Sequence, residues 1–474
     1  MKIIVVFFLG VLTVLGFAPF YFFPIPLVTL ALLLYFWRNS VKPFNAAMLG
    51  FSFGMGMFGA GVTWIYVSLH DFGSMPMPLA VLALILLCAY LSLFPALTLW
   101  MLSEWLRGTL FTGFPWLTVG YSQAPHSPLA GFAPVMGAYG VSLLLVVSAA
   151  WLSCWLGQRR SWRFLYLLGG VWAMGFGLQW INWTQPQGDP VTVSLLQGNI
   201  AQDLKWQEDH LVTTMNTYAQ LIRESNGRLI VTPEISIPLF HEDVPTDYLS
   251  ELAAQAVANN GDVLIGMAES VSSDRNEYYN TMFSLGVSAE QRYRKHHLVP
   301  FGEYIPLKPV FGWIIQVLNI PLSDFSRGSL DQQPLQLAGQ RVAINICYED
   351  VFGEEIIRQL PQASVLVNVS NDAWFGRSIG PRQHLQISQM RALETGRYML
   401  RATNTGVTAI IDQRGRVLQE LEMFTTAGLH GVAQGHAGAT PYVQAGNSLV
   451  LGAAGLLLII GWLSVFFYGK RKTL

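Results

Sequence analysis

About seven stretches of this chain are so apolar that only a bilayer or a very large core can take them, and that limits the possible folds more than any motif does. They fall at 3–19, 24–37, 45–68, 77–105, 129–156, 163–181 and, after a long gap, 447–468. Crossing the hydrocarbon takes roughly 20 apolar residues, and most of these runs approach or exceed that. Charged residues make up only 12% of the 474, against about 25% in ordinary soluble domains. The chain therefore reads as a polytopic α-helical membrane protein. The first two runs are short and joined by Gly16-Phe17-Ala18-Pro19-Phe20, which fits a tight hairpin. Met1 and Lys2 ahead of an apolar run resemble a secretory signal, but no small-x-small cleavage site follows, so a retained anchor is expected.

Orientation follows from the basic residues near the span ends. Arg38 and Lys42, the group Arg159, Arg160 and Arg163, and the tail Lys470, Arg471 and Lys472 all read as cytoplasmic. The last span then runs from outside to inside, and the residues between about 184 and 445 lie on the far side of the membrane. Counting from a cytoplasmic Lys2, six spans would return the chain to the cytoplasm, so one crossing is missing. The stretch 77–105 is the place to look, being long for one helix and short for two. A net charge of -1 suggests neither a nucleic-acid nor a strongly acidic partner. Three cysteines without regular spacing give no disulfide framework and no zinc pattern.

From 184 to 445 the composition becomes that of a globular domain. The organisation expected is an N-terminal membrane bundle (1–183), a catalytic block (184–445) and a final span with a basic tail (446–474). Within the block, Val- and Ile-rich runs at Val191–Leu196, Arg228–Thr232, Val263–Met267, Thr281–Leu285, Val342–Ile346, Ser364–Val369 and Thr408–Ile411 read as strands. Several are apolar on both faces, as strands covered on both sides must be. Helices are expected at about 207–224, 246–259, 352–360 and 382–402, and Asp412-Gln413-Arg414-Gly415 suits a hairpin turn. Alternating strands and helices of this kind argue for an inserted α/β sandwich.

Three strand ends finish in residues able to do chemistry. Leu229-Ile230-Val231-Thr232-Pro233-Glu234 stops at a proline, which cannot donate to a ladder, and leaves a carboxylate at the strand mouth. Partial desolvation raises a carboxylate's proton affinity and suits it to act as a general base; a solvated loop acid or a helix N-terminal Glu is the plainer alternative. In Arg292-Tyr293-Arg294-Lys295-His296-His297-Leu298-Val299-Pro300-Phe301-Gly302-Glu303 a surface basic patch explains the arginines. Lys295 is the better candidate there, because an ammonium stabilises both a thiolate and an oxyanion. Adjacent histidines rarely converge on one ion, so no metal is expected. Cys347 ends the apolar run 341–346 just before Tyr348, Glu349 and Asp350. It is either a buried strand cysteine or a nucleophile, with the Tyr348 N–H placed to help hold an oxyanion.

Thr232-Pro233-Glu234, the 293–303 segment and Ile346-Cys347-Tyr348-Glu349 closely resemble the Glu, Lys and Cys motifs of the nitrilase superfamily. More narrowly, the chain resembles the apolipoprotein N-acyltransferase family of bacterial lipoprotein maturation. Gln197-Gly198-Asn199-Ile200, Leu204-Lys205-Trp206, Ser370-Asn371-Asp372-Ala373-Trp374-Phe375-Gly376 and Thr112-Gly113-Phe114-Pro115-Trp116-Leu117 also match. The resemblance implies a nitrilase-like αββα sandwich on the periplasmic side of the inner membrane. It implies Cys347 as nucleophile, Glu234 as general base, Lys295 as oxyanion stabiliser, Glu303 and Glu349 as supporting acids, and Trp206 and Tyr348 near the lipid entrance. No cofactor is implied. The reaction implied is ping-pong: an acyl chain passes from a phospholipid, typically phosphatidylethanolamine, to Cys347, and then to the α-amine of a diacylglyceryl-cysteine lipoprotein. A membrane-anchored amidase with water as acceptor is the alternative. One departure stands out: the Tyr-Leu-Ser-Leu and Glu-Trp-Leu-Arg-Gly motifs, at 90–93 and 104–108, sit on successive helices in the family and here almost abut.

Overall fold

The computed structural model describes residues 1–97, 100–157, 161–271, 277–306 and 324–471. It divides into two compact units: Met1–Gly61, Cys88–Ile181 and Thr440–Leu474 form one, and Val62–Leu87 with Asn182–Ala439 form the other. The first unit is helical. Helices Lys2–Thr13 and Pro43–Gly61 pack with backbones almost touching, since a Cβ on Gly10 would lie 2.0 Å from the Phe53 carbonyl oxygen and one on Gly56 2.0 Å from that of Phe7. Only glycine permits that approach.

Met77–Ala96 and Pro128–Leu156 are long and apolar enough to cross a membrane, and Pro43–Gly61 with Trp64–Phe72 adds a third if the broken pair counts as one span. Lys2–Gly16, Pro24–Arg38, Arg163–Leu178 and Ser448–Gly461 are shorter apolar helices. The 77–105 stretch becomes one long helix, Met77–Leu97, and one short helix, Trp100–Arg107. Eight residues rise only about 12 Å, too little for a crossing. The short helix is tied down by its own charges instead. Glu104 accepts from the Trp100 indole at 3.0 Å and the Val119 N–H at 2.7 Å, while Arg107 donates to the Trp116 carbonyl at 2.6 Å. Residues 98–99, and Arg159, Arg160 and Lys472 of the charge argument, lie outside the described residues.

The second unit holds two six-stranded sheets. With strands numbered along the chain, a short pairing joins β1 (Gln185–Pro186) to β14 (His436–Ala437). One sheet runs β13 (Ala427–Ala433), β2 (Val191–Gln197), β3 (Leu229–Val231), β4 (Asp262–Ser270), β5 (Tyr278–Gly286), β6 (Gln291–Arg294). The other runs β12 (Val417–Glu420), β11 (Ala409–Ile411), β10 (Tyr398–Thr403), β9 (Val365–Ser370), β8 (Gln340–Ile346), β7 (Leu335–Leu337). Each has three parallel strands at its centre and antiparallel strands outside them. Val193, Leu195, Val231 and Leu264 of the first sheet pack face to face with Ile344, Ile346, Val367 and Leu400 of the second. The alternate residues Leu196, Ile230, Val263 and Ile265 pack against Tyr218, Ile222, Leu252 and Ala256 of helices Glu208–Arg223 and Thr246–Ala258. Helix Gly380–Thr395 lies on the second sheet, where its Ser388 accepts from Arg401 of β10 at 3.0 Å. This is the αββα sandwich.

All seven expected strands form. The helix expected at 382–402 does not run that far. It stops at Thr395, Gly396 takes φ +63°, and 398–403 becomes β10. Glycine past the last turn is a helix stop signal, but Met399, Leu400 and Ala402 continue the apolar character of the helix, which hid the change of element. The short strands β6, β7 and β12, and the longer but glycine-interrupted β13, carry too few apolar residues to show as runs. Asp412 and Gly415 do close the hairpin between β11 and β12, with the Gly415 N–H donating to the Asp412 carbonyl at 2.9 Å.

Candidate active site

Strand β3 is only three residues long, and Pro233 ends it as the sequence requires. The loop that follows folds onto β4 at Gly266, where a Cβ would sit 2.5 Å from the Pro233 carbonyl and 2.6 Å from the Ile235 nitrogen. A bare backbone at 266 thus lets Glu234 tuck under the strand end, where it is buried. Its Oε1 accepts from Lys295 Nζ at 3.1 Å and Asn280 Nδ2 at 2.8 Å, and its Oε2 accepts from the Asn371 N–H at 2.9 Å.

Lys295 follows β6 and is 1% exposed. Its ammonium also donates to Glu303 Oε1 at 2.8 Å, and Asn280 Nδ2 reaches that same oxygen at 3.2 Å. Glu303 Oε2 accepts from the Val299 N–H at 2.8 Å, which closes the 299–303 turn. The next two histidines turn to separate partners: His296 Nδ1 lies 2.8 Å from the Gly328 carbonyl, and His297 Nδ1 lies 2.7 Å from Glu355 while its ring stacks on Phe352. Their backbone N–H groups donate to Glu349 Oε1 at 2.6 and 3.0 Å. Glu349 Oε2 takes the Ile346 N–H at 2.7 Å and the Tyr293 hydroxyl at 3.0 Å. This one buried carboxylate therefore pins the segment after Lys295 to the residue before Cys347.

Cys347 follows β8 directly and has φ +53°. A non-glycine residue held there costs on the order of 1 kcal/mol or more, and such positions cluster at functional sites. The residue as a whole is only partly buried, but its thiol is desolvated, hydrogen-bonds the Ser370 hydroxyl, and lies in the fields of Glu234 and Lys295. Tyr348 is buried, its ring edge-on to Phe352 at 5.2 Å. Trp206 packs with Ile235, Leu298 and Phe325, so it forms part of the apolar wall beside Glu234.

The electrostatics correct one expectation. Burial does push Glu234 up, but the Lys295 ammonium and the donors from Lys295, Asn371 and Asn280 outweigh it and hold the carboxyl below its usual range. Lys295 is pushed well up: burial opposes its charge, but Glu234, Glu303 and Cys347 favour it more strongly. Cys347 is pushed up by burial first and by Glu234 next, and Lys295 only partly offsets them. Burial raises Glu349 to about 7 against the pull of its backbone donors and Lys295. The resting site is thus a neutral thiol beside an ionised carboxylate and an ammonium. A thiol held in that form attacks only once its proton has passed to a base.

Several contributors were not singled out from sequence. Asn371 and Asp372 stand inside a quoted motif, while Asn280 and His384 gave no signal at all. Lys205, next to Trp206, is buried, and its Nζ donates to the Glu234 carbonyl at 3.3 Å. Burial lowers it to about 8, with Glu234 and Cys347 pulling the other way. A lysine depressed from 10.5 penalises the charged fold fully below pH 8, and the penalty fades as pH climbs from 8 to 10.5. Those pH units amount to about 3 kcal/mol. Lys205→Met is expected to melt above wild type at pH 7, with the gap closing towards pH 10. A gap independent of pH in paired melting curves would show that the ammonium is not strained.

The loop Asn371–Phe375 that supplies the Asn371 N–H is braced by the 62–87 segment. Ser68 Oγ donates to the Trp374 carbonyl at 2.8 Å, and Trp64 meets Phe375 edge-on at 4.6 Å.

Comparison with known families places these motifs. Residues 192–441 match the carbon-nitrogen hydrolase family profile, and 9–100 and 95–151 match the apolipoprotein N-acyltransferase N-terminal domain. The two N-terminal pieces overlap at 95–100, where the motifs at 90–93 and 104–108 nearly abut. An apolipoprotein N-acyltransferase from Nitrosomonas europaea is 72% identical over 100% of this chain and 99% of its own length. One from Methylococcus capsulatus is 43% identical over 98% and 95%, and one from Pseudomonas aeruginosa 38% identical over 95% and 93%. With this identity running through both the helical bundle and the sandwich that carries Glu234, Lys295 and Cys347, the chain belongs to the apolipoprotein N-acyltransferase family.

Proposed function

We propose that this protein transfers an acyl chain from a phospholipid to the N-terminal amine of a diacylglyceryl-cysteine lipoprotein, through a thioester on Cys347. The observation that carries the reading is Lys295 bridging Glu234 and Glu303 inside the site, with Cys347 held at positive φ in the field of the first two. In the first half-reaction the thiol proton passes to Glu234 as sulfur bonds the ester carbonyl carbon. Lys295 stabilises the oxyanion. The ester C–O bond then breaks, and Glu234 returns the proton to the departing lysophospholipid hydroxyl. In the second, the neutral α-amine attacks the thioester, its surplus proton goes to Glu234, and the C–S bond breaks. The thiolate recovers that proton, leaving an amide.

Phosphatidylethanolamine is the donor we propose, with the enzyme in the bacterial inner membrane, its 184–445 block periplasmic between the 1–183 bundle and the 446–474 segment. The apolar helices and the basic residues near the span ends support that placement. Both substrates carry acyl chains, each methylene worth about 0.8 kcal/mol on burial. The test is purified protein with acyl-labelled phosphatidylethanolamine. A hydroxylamine-sensitive adduct should form and discharge onto a diacylglyceryl-cysteine peptide. Discharge to free fatty acid at the same rate with or without peptide would favour the amidase-type hydrolysis instead.

A further inference from the structure

We infer that His384 is the positioning residue that sets the backbone of the nucleophile, holding the Cys347 carbonyl so that the Tyr348 N–H keeps its direction. The inference rests on the acyl-transfer reading above and extends it to a residue that touches no reacting atom.

Cys347 takes φ +53°, a conformation its own side chain disfavours. Two side chains reach its carbonyl oxygen: His384 Nε2 at 3.2 Å and Asn368 Nδ2 at 3.4 Å. His384 is 1% exposed, on the helix that covers the second sheet. Its other ring nitrogen, Nδ1, lies 3.0 Å from Asp372 Oδ1 and 2.7 Å from Arg401 Nη2. The Cys347 carbonyl oxygen can only accept, so Nε2 carries the hydrogen of the 3.2 Å contact, and Nδ1 can then accept from Arg401. The Asp350 carboxylate, with Oδ2 at 3.8 Å from Nε2, is too far to compete for that hydrogen.

The support behind the ring is rigid. Asn345, Asn368 and Arg401 are register partners across β8, β9 and β10. Asn368 donates to Asn345 at 2.6 Å and accepts from Arg401 Nη1 at 2.6 Å, while Arg401 Nη2 binds Asp372 Oδ2 at 2.7 Å. All of these side chains are buried. The Cys347–Tyr348 peptide is trans, so its C=O and N–H point in opposite directions. Pinning the oxygen therefore aims the N–H, the group best placed after the strand to meet an oxyanion.

The experiment compares His384→Met, which removes the donor at similar volume, with His384→Gln, whose amide nitrogen keeps it. In single-turnover acylation the Met variant should slow by roughly 10²-fold or more, as loss of an oxyanion donor does. Its phospholipid KM and its rate of Cys347 alkylation by iodoacetamide should stay within about threefold of wild type, and the Gln variant should recover to within about tenfold of wild-type acylation. Wild-type acylation in His384→Met, or a Gln variant as slow as Met, would overturn the assignment. If the Met variant does not accumulate as folded protein, the smaller His384→Ala replaces it, and wild-type acylation there overturns the assignment equally. Absence of any adduct in the wild-type lane counts against the reaction itself and is read from the same gel.

Discussion

Cys347→Ala protein given labelled phospholipid is expected to carry no hydroxylamine-sensitive label, and Cys347→Ser to acylate more slowly by on the order of 10⁴-fold or more. Removing the nucleophile from a triad that works as a unit costs up to about 10⁶-fold. Serine fares nearly as badly here for a reason visible in the site. Its hydroxyl is a far weaker acid than a thiol, and the base it would rely on is held below the usual carboxylate range by Lys295. The thiol itself is already pushed up by burial, so the site tolerates no further rise. Glu234→Gln is expected to slow both half-reactions by about 10²- to 10⁴-fold, the span usual for a lost general base. Rapid-quench acylation and peptide discharge separate the two steps. Label retained in Cys347→Ala at the wild-type level would place the acyl group elsewhere and end the thioester reading.

The parts of the site legible in the sequence are those where a strand pattern breaks against a reactive residue. Val342, Ile344 and Ile346 turn one apolar face of β8 into the core between the sheets, and the pattern stops where Cys347 turns to positive φ. Pro233 likewise announces the end of β3. The residues that tune the site are legible only in three dimensions. Asn280 sits mid-strand in β5 and bridges Glu234 to Glu303 across the sheet. Asn371 matters through its backbone N–H, which no side-chain pattern encodes. The helix Gly380–Thr395 is buried nearly throughout although it carries Gln383, His384, Gln389, Arg391 and Glu394, so no amphipathic stripe marks its inward face. The depressed Glu234 shows the same limit. Burial alone predicts a raised carboxyl, and only the 3.1 Å approach of Lys295, distant in sequence, reverses the sign.

Lys295→Met is expected to slow acyl transfer by about 10³-fold or more, and to change how stability responds to pH. In the native site one ammonium is shared by two carboxylates, at 3.1 Å from Glu234 and 2.8 Å from Glu303. Without it, Asn280 is left donating to two neighbouring acids of like charge, and the pair is expected to retain a shared proton. A protonated Glu234 cannot accept the thiol proton, and the oxyanion has lost its cation, so both halves of the chemistry fail together. An uncompensated buried charge costs about 3–5 kcal/mol. The sign with pH follows from the two states. Wild-type Glu234 sits below its ordinary 4.5, so its contribution is present above that pH and is lost as pH falls through the folded value. In Lys295→Met the shared proton raises the pair, which favours the fold at acid pH and is lost as pH rises. The melting gap between the two proteins should therefore be widest near neutrality and narrow towards pH 4. Lys295→Arg is not expected to rescue, because a guanidinium needs more room than a 1% exposed ammonium leaves. A melting gap that widens as pH falls would mean the two carboxylates do not share that ammonium as their countercharge, and Lys295 would then have to be assigned to the oxyanion alone.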